Sequence, residues 1–402
     1  MKRWYTMDEK KLTIGLFVDT YYPMIDGVVL VVDHYAQQLS KVANVIVFAP
    51  SARDKHFHDD QPYRVIRSKH IRVPFTSYDL SIPFFDLHFK SQLKNAKLDL
   101  VHIHSPFTMG ETGIAYAKKH NIPAVGTLHS QYKKDFIERT KSQLITEIAL
   151  TKIMSVFNQC DTLWAVNQKI AEIYHADGTN LMPKVQLNAT DMMPVMDLKK
   201  IDELKKKYDV KADEKVLLFV GRIDKVKNLD FIVDALFKLR LKAFKFKMIF
   251  VGSGPYEDEL KAKIKKFGLD SYCTLAGRIM DRMELSSYFK LADLFLFPSL
   301  YDASSLVQIE AASQKTASLF IKDSATSATI TPDVNGYVAE EDPSLYALKI
   351  IEIFKNTKMH QKVCNQAYQD LYKTWDEVVK KVYKDYISLI ESNQKNALVA
   401  PK

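Results

Sequence analysis

Along the first half of the chain, short apolar runs alternate with amphipathic stretches. LTIGLFV (12–18), NVIVFAP (44–50), YRVIRS (63–68), DLVHIHS (99–105), PAVGTLH (123–129), TLWAVN (162–167) and KVQLN (184–188) read as strands. Most are continuously apolar rather than alternating, the pattern of parallel strands covered on both faces. Residues 28–40 carry Val28, Val32, Tyr35, Ala36 and Leu39 at helical spacing, and 109–119 and 143–158 are also helix-like. A polar stretch rich in Lys and Asp follows over 188–215, with a helix expected over 197–208. The alternation then restarts as KVLLFVG (215–221), helix 229–239, KMIFVG (247–252), helix 256–267, YCTLAG (272–277), helix 282–291, DLFLFP (293–298), helix 306–314 and ASLFIK (317–322). Residues 344–392 read as several helices.

Strand–helix alternation of this kind implies parallel sheets with right-handed crossovers. Two such halves around a polar linker imply an α/β protein of two doubly wound domains facing a cleft. Ligands of such sheets bind beyond the carboxyl ends of the strands. A length of 402 residues fits two or three domains, and 47% hydrophobic with 26% charged residues is a globular composition.

Charge narrows the partners. The formal net charge is +9, carried mostly by lysines in runs such as KKIDELKKKYDVK and KAKIKKFG. Such runs are either solvated helix faces or a response to an anionic partner: a phosphorylated ligand, an acidic membrane surface or nucleic acid. No recognition helix, zinc spacing or aromatic RNA-binding signature is present, so nucleic acid is set aside. Cys160, Cys273 and Cys364 are odd in number and far apart, which fits a reducing compartment and gives neither a disulfide framework nor a metal site. The N-terminal MKRWYTMDEKKLTIGLFVD has a short apolar run with acids on both sides, and reads as a first strand rather than a signal peptide. No apolar run approaches the roughly 20 residues of a membrane span. The expectation is a cytoplasmic protein, peripheral at most on a membrane.

Three segments at expected strand ends could carry chemistry. In GRIDKVKN, Arg222 and Lys227 follow a strand and precede a helix. They are either two solvated cations or a diphosphate clamp, Arg as a planar fork and Lys as a mobile charge. In VGSGPYEDEL, Gly252 and Gly254 allow a tight turn, for phosphate or for the turn alone. In SLYDASSLVQIEAASQKT, Ser304 or Ser305 can cap a helix beginning at Leu306, whose free N–H groups suit a phosphate. Asp302 precedes that helix and Glu310 lies inside it. Two carboxylates can hold sugar hydroxyls, although spacing alone favours a capped helix with one surface acid.

Taken in order, LFVDTYYPMIDGVV, DLVHIHSPFTMG, PAVGTLHSQY, LLFVGRIDKVKN, FVGSGPYEDEL, AGRIMDRMELSSYFKLADLFLFPS and NGYV resemble a family 4 glycosyltransferase of the GT-B fold over nearly the whole chain. The resemblance implies an acceptor-side Rossmann-like domain over 1–190, completed by C-terminal helices over about 374–402, and a nucleotide-sugar domain over 191–373. It implies that the family's E-x7-E motif falls on Asp302, beside the transferred sugar, and Glu310, at the nucleotide ribose. Arg222 and Lys227 match the pair gripping the donor diphosphate. Gly27 matches a loop that closes over the phosphates, with Gly254, Ser304, Ser305 and Leu306 also on the donor. Arg278 and Ile279 match the segment beside the base. His129 matches a histidine near the reacting sugar; without the resemblance it reads as a structural histidine, as His102 and His104 do. Three positions depart from the family: Asp302 stands for the usual Glu, Ser305 for a common Gly, and Lys315 for another Gly.

The implied activity is retaining hexosyl transfer from a nucleotide sugar, most simply a UDP-sugar, to a glycan or glycolipid hydroxyl in envelope glycolipid or polysaccharide synthesis. No cofactor is implied, and the sequence has no Asp-x-Asp pair to hold a metal. A nucleotide-sugar epimerase on the same fold, or a non-catalytic partner of an active transferase, remains the alternative. Phe75, Tyr78, Phe84 and Phe85 would suit a membrane-borne acceptor, but PFTSYDLSIPFFDLHF is read first as a loop packed on the core.

Overall fold

The computed structural model describes residues 11–72 and 79–399. The apolar runs form the strands expected of them, in two separate parallel sheets. In the first, β1 (Thr13–Phe17), β2 (Asn44–Pro50), β3 (Arg64–Ser68), β6 (Leu100–Ile103), β7 (Ala124–Leu128), β8 (Thr162–Ala165) and β9 (Lys184–Val185) run in the order β3-β2-β1-β6-β7-β8-β9. β4 (His70–Arg72) and β5 (Asp79–Ser81) pair antiparallel apart from it. In the second sheet, β10 (Lys215–Val220), β11 (Phe246–Val251), β12 (Cys273–Gly277), β13 (Leu294–Phe297), β14 (Ser318–Ile321) and β15 (Tyr337–Ala339) run β12-β11-β10-β13-β14-β15. The central strands β6, β7, β8, β13 and β14 are buried along their full length. Helices cover both faces of such strands, which is why their sequences show no polar alternation.

The chain divides into two units: Met1–Asn188 with Trp375–Lys402, and Ala189–Thr374. The last helix, Trp375–Val399, joins the first unit through an apolar stripe of Trp375, Val378, Val379, Val382, Tyr383, Tyr386 and Ile390. Trp375 stacks on His34 at 5.0 Å, and the Tyr386 hydroxyl hydrogen-bonds His102 Nδ1 at 2.6 Å. Helix starts follow local capping chemistry. Asp26, Ser142, Asn167, Asp281 and Ser305 each accept a hydrogen bond from a backbone N–H in the first turn of the helix that follows.

Strand order reverses between β1 and β6 in one sheet, and between β10 and β13 in the other. These are the switch points at which doubly wound sheets open a crevice at their carboxyl edges.

Several elements differ from expectation. The helices Leu87–Asn95, Tyr132–Thr140 and Gln168–Ala176 went unread in the sequence; each has only nine residues, and Tyr132–Thr140 buries none of them. KVQLN contributes only the two-residue edge strand β9. Of the segment read as a core-packed loop, Pro83, Asp86 and Phe89 are buried, and Phe89 meets the Phe48 ring edge-on at 5.9 Å, but the side chains between them turn outward. Phe84, Phe85 and Leu87 are 71%, 77% and 80% exposed, because the turn Pro83–Phe85 anchors through Pro83 and leaves its rings outside. Phe75 and Tyr78 lie outside the described residues.

Candidate active site

In the second unit, the segments after β10 and β13 leave adjacent strands at the switch point and are stitched together there. The Lys227 ammonium lies 2.5 Å from an Asp302 carboxylate oxygen, with both side chains largely buried. Asn228 Nδ2 donates to the Pro298 carbonyl at 3.2 Å, and the Asp302 N–H points to Ser299 Oγ at 3.3 Å. Residues 75 apart are thus held on one edge. Arg222 sits on the same carboxyl edge of β10. Its guanidinium is 65% exposed and meets Asp224 at 2.5 Å.

Beside Asp302 the helix Leu306–Ser313 begins. Ser305 is its N-cap: its Oγ accepts from the Gln308 N–H at 3.2 Å, so the hydroxyl is engaged in capping. The first-turn N–H groups and the helix dipole add positive potential next to the Lys227–Asp302 pair. Ser304 is half-buried just before the cap.

Glu310, one turn further in, is not the surface acid that spacing alone favoured. It is 7% exposed and faces Arg282 at 2.8 Å, and the same guanidinium binds Asp191 at 2.6 Å. Burial raises the Glu310 pKa above its usual value, while Arg282 pulls it back. Nothing local could have marked this pairing, because Arg282 and Asp191 lie far from Glu310 in sequence.

The glycines have backbone work. Gly252 has φ +142°, and a Cβ there would stand 1.8 Å from the Gly221 carbonyl oxygen; at Gly254 it would stand 2.2 Å from that of Ile223. Both let the loop after β11 lie against the loop carrying Arg222. The Gly254 N–H is engaged by Glu257 at 2.9 Å. Arg278 is exposed just past β12, and Ile279 packs against the unit's core.

In the first unit, the carboxyl edges of β1, β6 and β7 gather Asp19, His104, Ser105 and His129. Asp19 is buried. Its carboxylate accepts from Ser105 Oγ at 2.8 Å and the Met109 N–H at 2.9 Å, holding the start of the helix Thr108–His120. Burial still raises its pKa. His129 follows β7 and keeps part of its surface exposed, with its Nε2 2.9 Å from His104 Nδ1. The surrounding protein depresses the His129 pKa to about 3, so the ring is neutral at ordinary pH. His102 and His104 are buried and also held neutral by desolvation. His102 bridges Tyr386 and Thr127, as a core-supporting histidine would. Gly27 is the first residue of the helix Gly27–Leu39, and a Cβ there would meet nothing within 4 Å.

Three roles went unread in the sequence: Arg282 as the partner of Glu310, His104 as the partner of His129, and Asp19 as a buried acid. Only Asp19 had a local signal, a carboxylate directly after an apolar strand.

Two family profiles match the chain, Glycosyltransferase Family 4 over residues 25–181 and Glycosyl transferases group 1 over residues 200–370. The alpha-monoglucosyldiacylglycerol synthase of Acholeplasma laidlawii is 26% identical over 96% of this chain and 99% of its own length. The enzyme of that name from Streptococcus pneumoniae is 22% identical over 95% and 87%. Among solved structures, Anabaena HepE in complex with UDP and glucose superposes with a TM-score of 0.74 at 16% identity, covering 94% of this chain and all of that one.

Proposed function

Because the chain belongs to the family 4 glycosyltransferases, hexosyltransferases of the GT-B fold, we propose that it moves a hexose from a UDP-sugar to a hydroxyl of a glycolipid-type acceptor, with retention and without a metal ion. The observation that carries this reading is the Lys227–Asp302 pair at the switch point of the second sheet, beside an exposed Arg222 and a capped helix start. Arg222, Lys227 and the N–H groups after Ser305 take the diphosphate, Asp302 takes hydroxyls of the sugar, and Glu310 takes the ribose. Ile279 and Arg278 flank the base.

In the reaction, the bond from the anomeric carbon to the diphosphate oxygen breaks. The acceptor oxygen forms its new bond on the same face, and its proton passes to a phosphate oxygen of the leaving diphosphate. Negative charge grows on that diphosphate as the bond breaks, and fixed cations and amide dipoles stabilise it without reorganising. Two findings favour a lipid acceptor: relatives named as diacylglycerol glucosyl synthases, and the outward Phe84, Phe85 and Leu87 with the Lys90 ammonium 4.2 Å above the Phe84 ring. Apolar rings beside a cation suit an anionic bilayer interface. Among the described residues, no helix is long and apolar enough to cross a membrane.

The test incubates the protein with UDP-glucose, UDP-galactose or UDP-N-acetylglucosamine and a membrane-lipid extract, with products read by mass spectrometry. A glycosylated lipid is expected, formed equally well in EDTA. Arg222→Ala should lower turnover by roughly 10²–10³-fold with an unchanged melting temperature, since the side chain is exposed. A free epimerised sugar nucleotide would mark an epimerase instead, and full activity in Arg222→Ala would remove the diphosphate clamp.

A further inference from the structure

We propose that His104 is a positioning residue that fixes the tautomer of His129, so that His129 offers an Nδ1–H donor, and not a base, at the open edge of the first sheet. The proposal rests on the transferase reading for its use, but its geometry stands by itself. His104 is 1% exposed and sits on β6's carboxyl end, its backbone N–H donating to the Phe17 carbonyl at 2.8 Å. Its Nδ1 meets His129 Nε2 at 2.9 Å, and its Nε2 is buried with no hydrogen-bond partner. The rings of Tyr35, His102 and His129 surround it.

A neutral imidazole carries one N–H. Were the His104 proton on Nε2, a donor would be buried without an acceptor, among the rarest defects in folded proteins. With the proton on Nδ1, the orphan is a bare lone pair, which is tolerated more often. The His104 Nδ1–H then donates to His129 Nε2, which must be unprotonated. His129 is neutral too, so its proton sits on Nδ1. That atom has no protein partner among the described residues and is not among the buried unpaired atoms. The outward face of His129 is therefore a hydrogen-bond donor, suited to a sugar or acceptor hydroxyl oxygen. It cannot accept the acceptor's proton there, which leaves a donor phosphate oxygen to do so.

The experiment is long-range 15N–1H NMR on histidine-labelled full-length protein at pH 7, with His129 assigned by its loss in His129→Gln. We expect a pyrrole-like Nδ1 and a pyridine-like Nε2 at His129, the reverse of the tautomer that free histidine favours. His104→Phe should return His129 to Nε2–H and lower kcat at least about tenfold with little change in donor KM. His104→Asn, which can present an amide N–H near the same place, should restore the tautomer and most of kcat. An Nε2–H His129 in the unaltered protein, or a tautomer unmoved in folded His104→Phe, overturns the proposal. A tautomer that switches with no loss of kcat overturns the positioning role. If no sugar is transferred by the unaltered protein, the transferase reading fails, and the NMR result still decides the tautomer.

Discussion

At the scale of single residues, the second unit's site is built from charges that hold one another before any ligand arrives. Lys227 rests on Asp302, Arg222 on Asp224, and Arg282 on both Glu310 and Asp191. The last group is the costliest to disturb. Glu310 is buried, and its only close cation among the described residues is Arg282. Truncating one partner of a buried pair leaves an uncompensated charge, typically about 3–5 kcal/mol; the partial exposure of Arg282 places this case at the lower end. Arg282→Ala should therefore lower the urea midpoint clearly. Arg282→Ala with Glu310→Gln should recover much of the loss, because the amide carries no charge to strand. Equal midpoints for the single and double variants would show that the ion pair is not the cause.

At the scale of elements, the turn Pro83–Phe85 and the start of the helix Leu87–Asn95 turn large apolar side chains outward in the first unit, as the helix Gln143–Phe157 does with Leu144, Ile145 and Ile148. Replacing Phe84 and Phe85 together by Ser should reduce flotation with vesicles containing phosphatidylglycerol several-fold and leave the melting temperature unchanged, since neither ring is buried. Undiminished flotation would move the membrane contact elsewhere. This turn also shows where reading the sequence stopped. Strands buried on both faces declare themselves as unbroken apolar runs, and helices with a wide apolar stripe declare themselves by period. Leu306 was legible as a helix start because Ser305 caps it locally. Whether Phe84 faces the core or water is decided by β4 and β5 and by Pro83, which set the turn's direction, and no spacing encodes that. The same holds for Glu310: its position in the helix was readable, but its ion pair joins parts of the chain that meet only through the sheet.

At the scale of the whole molecule, the first unit holds three neutral imidazoles around one sheet edge, two of them fully buried, and this couples its stability to pH. His102 and His104 are held well below the ordinary value of 6.5 and His129 falls to about 3, all chiefly by desolvation. In the unfolded chain each takes up a proton near 6.5, while in the fold each stays neutral. Below 6.5 the unfolded state thus binds more protons, so the stability is fully present above 6.5 and is lost as pH falls toward the folded values. The slope is about 1.4 kcal/mol per pH unit for each histidine well inside that window. Asp19 and Glu310 act in the opposite sense: their raised values mean that acidification relieves a buried charge. In the fold each of these two carboxyls can take up at most one proton, so over the whole interval they cannot offset three imidazoles that become protonated in the unfolded chain. Between pH 6.5 and 5 the histidines prevail. Denaturant midpoints should accordingly fall steadily across that range, and His102→Gln should make the fall shallower by roughly a third of the three-histidine contribution. A midpoint that holds level or rises from pH 6.5 to 5 would mean that the imidazoles are charged in the fold, which would also remove the neutral His104–His129 pair.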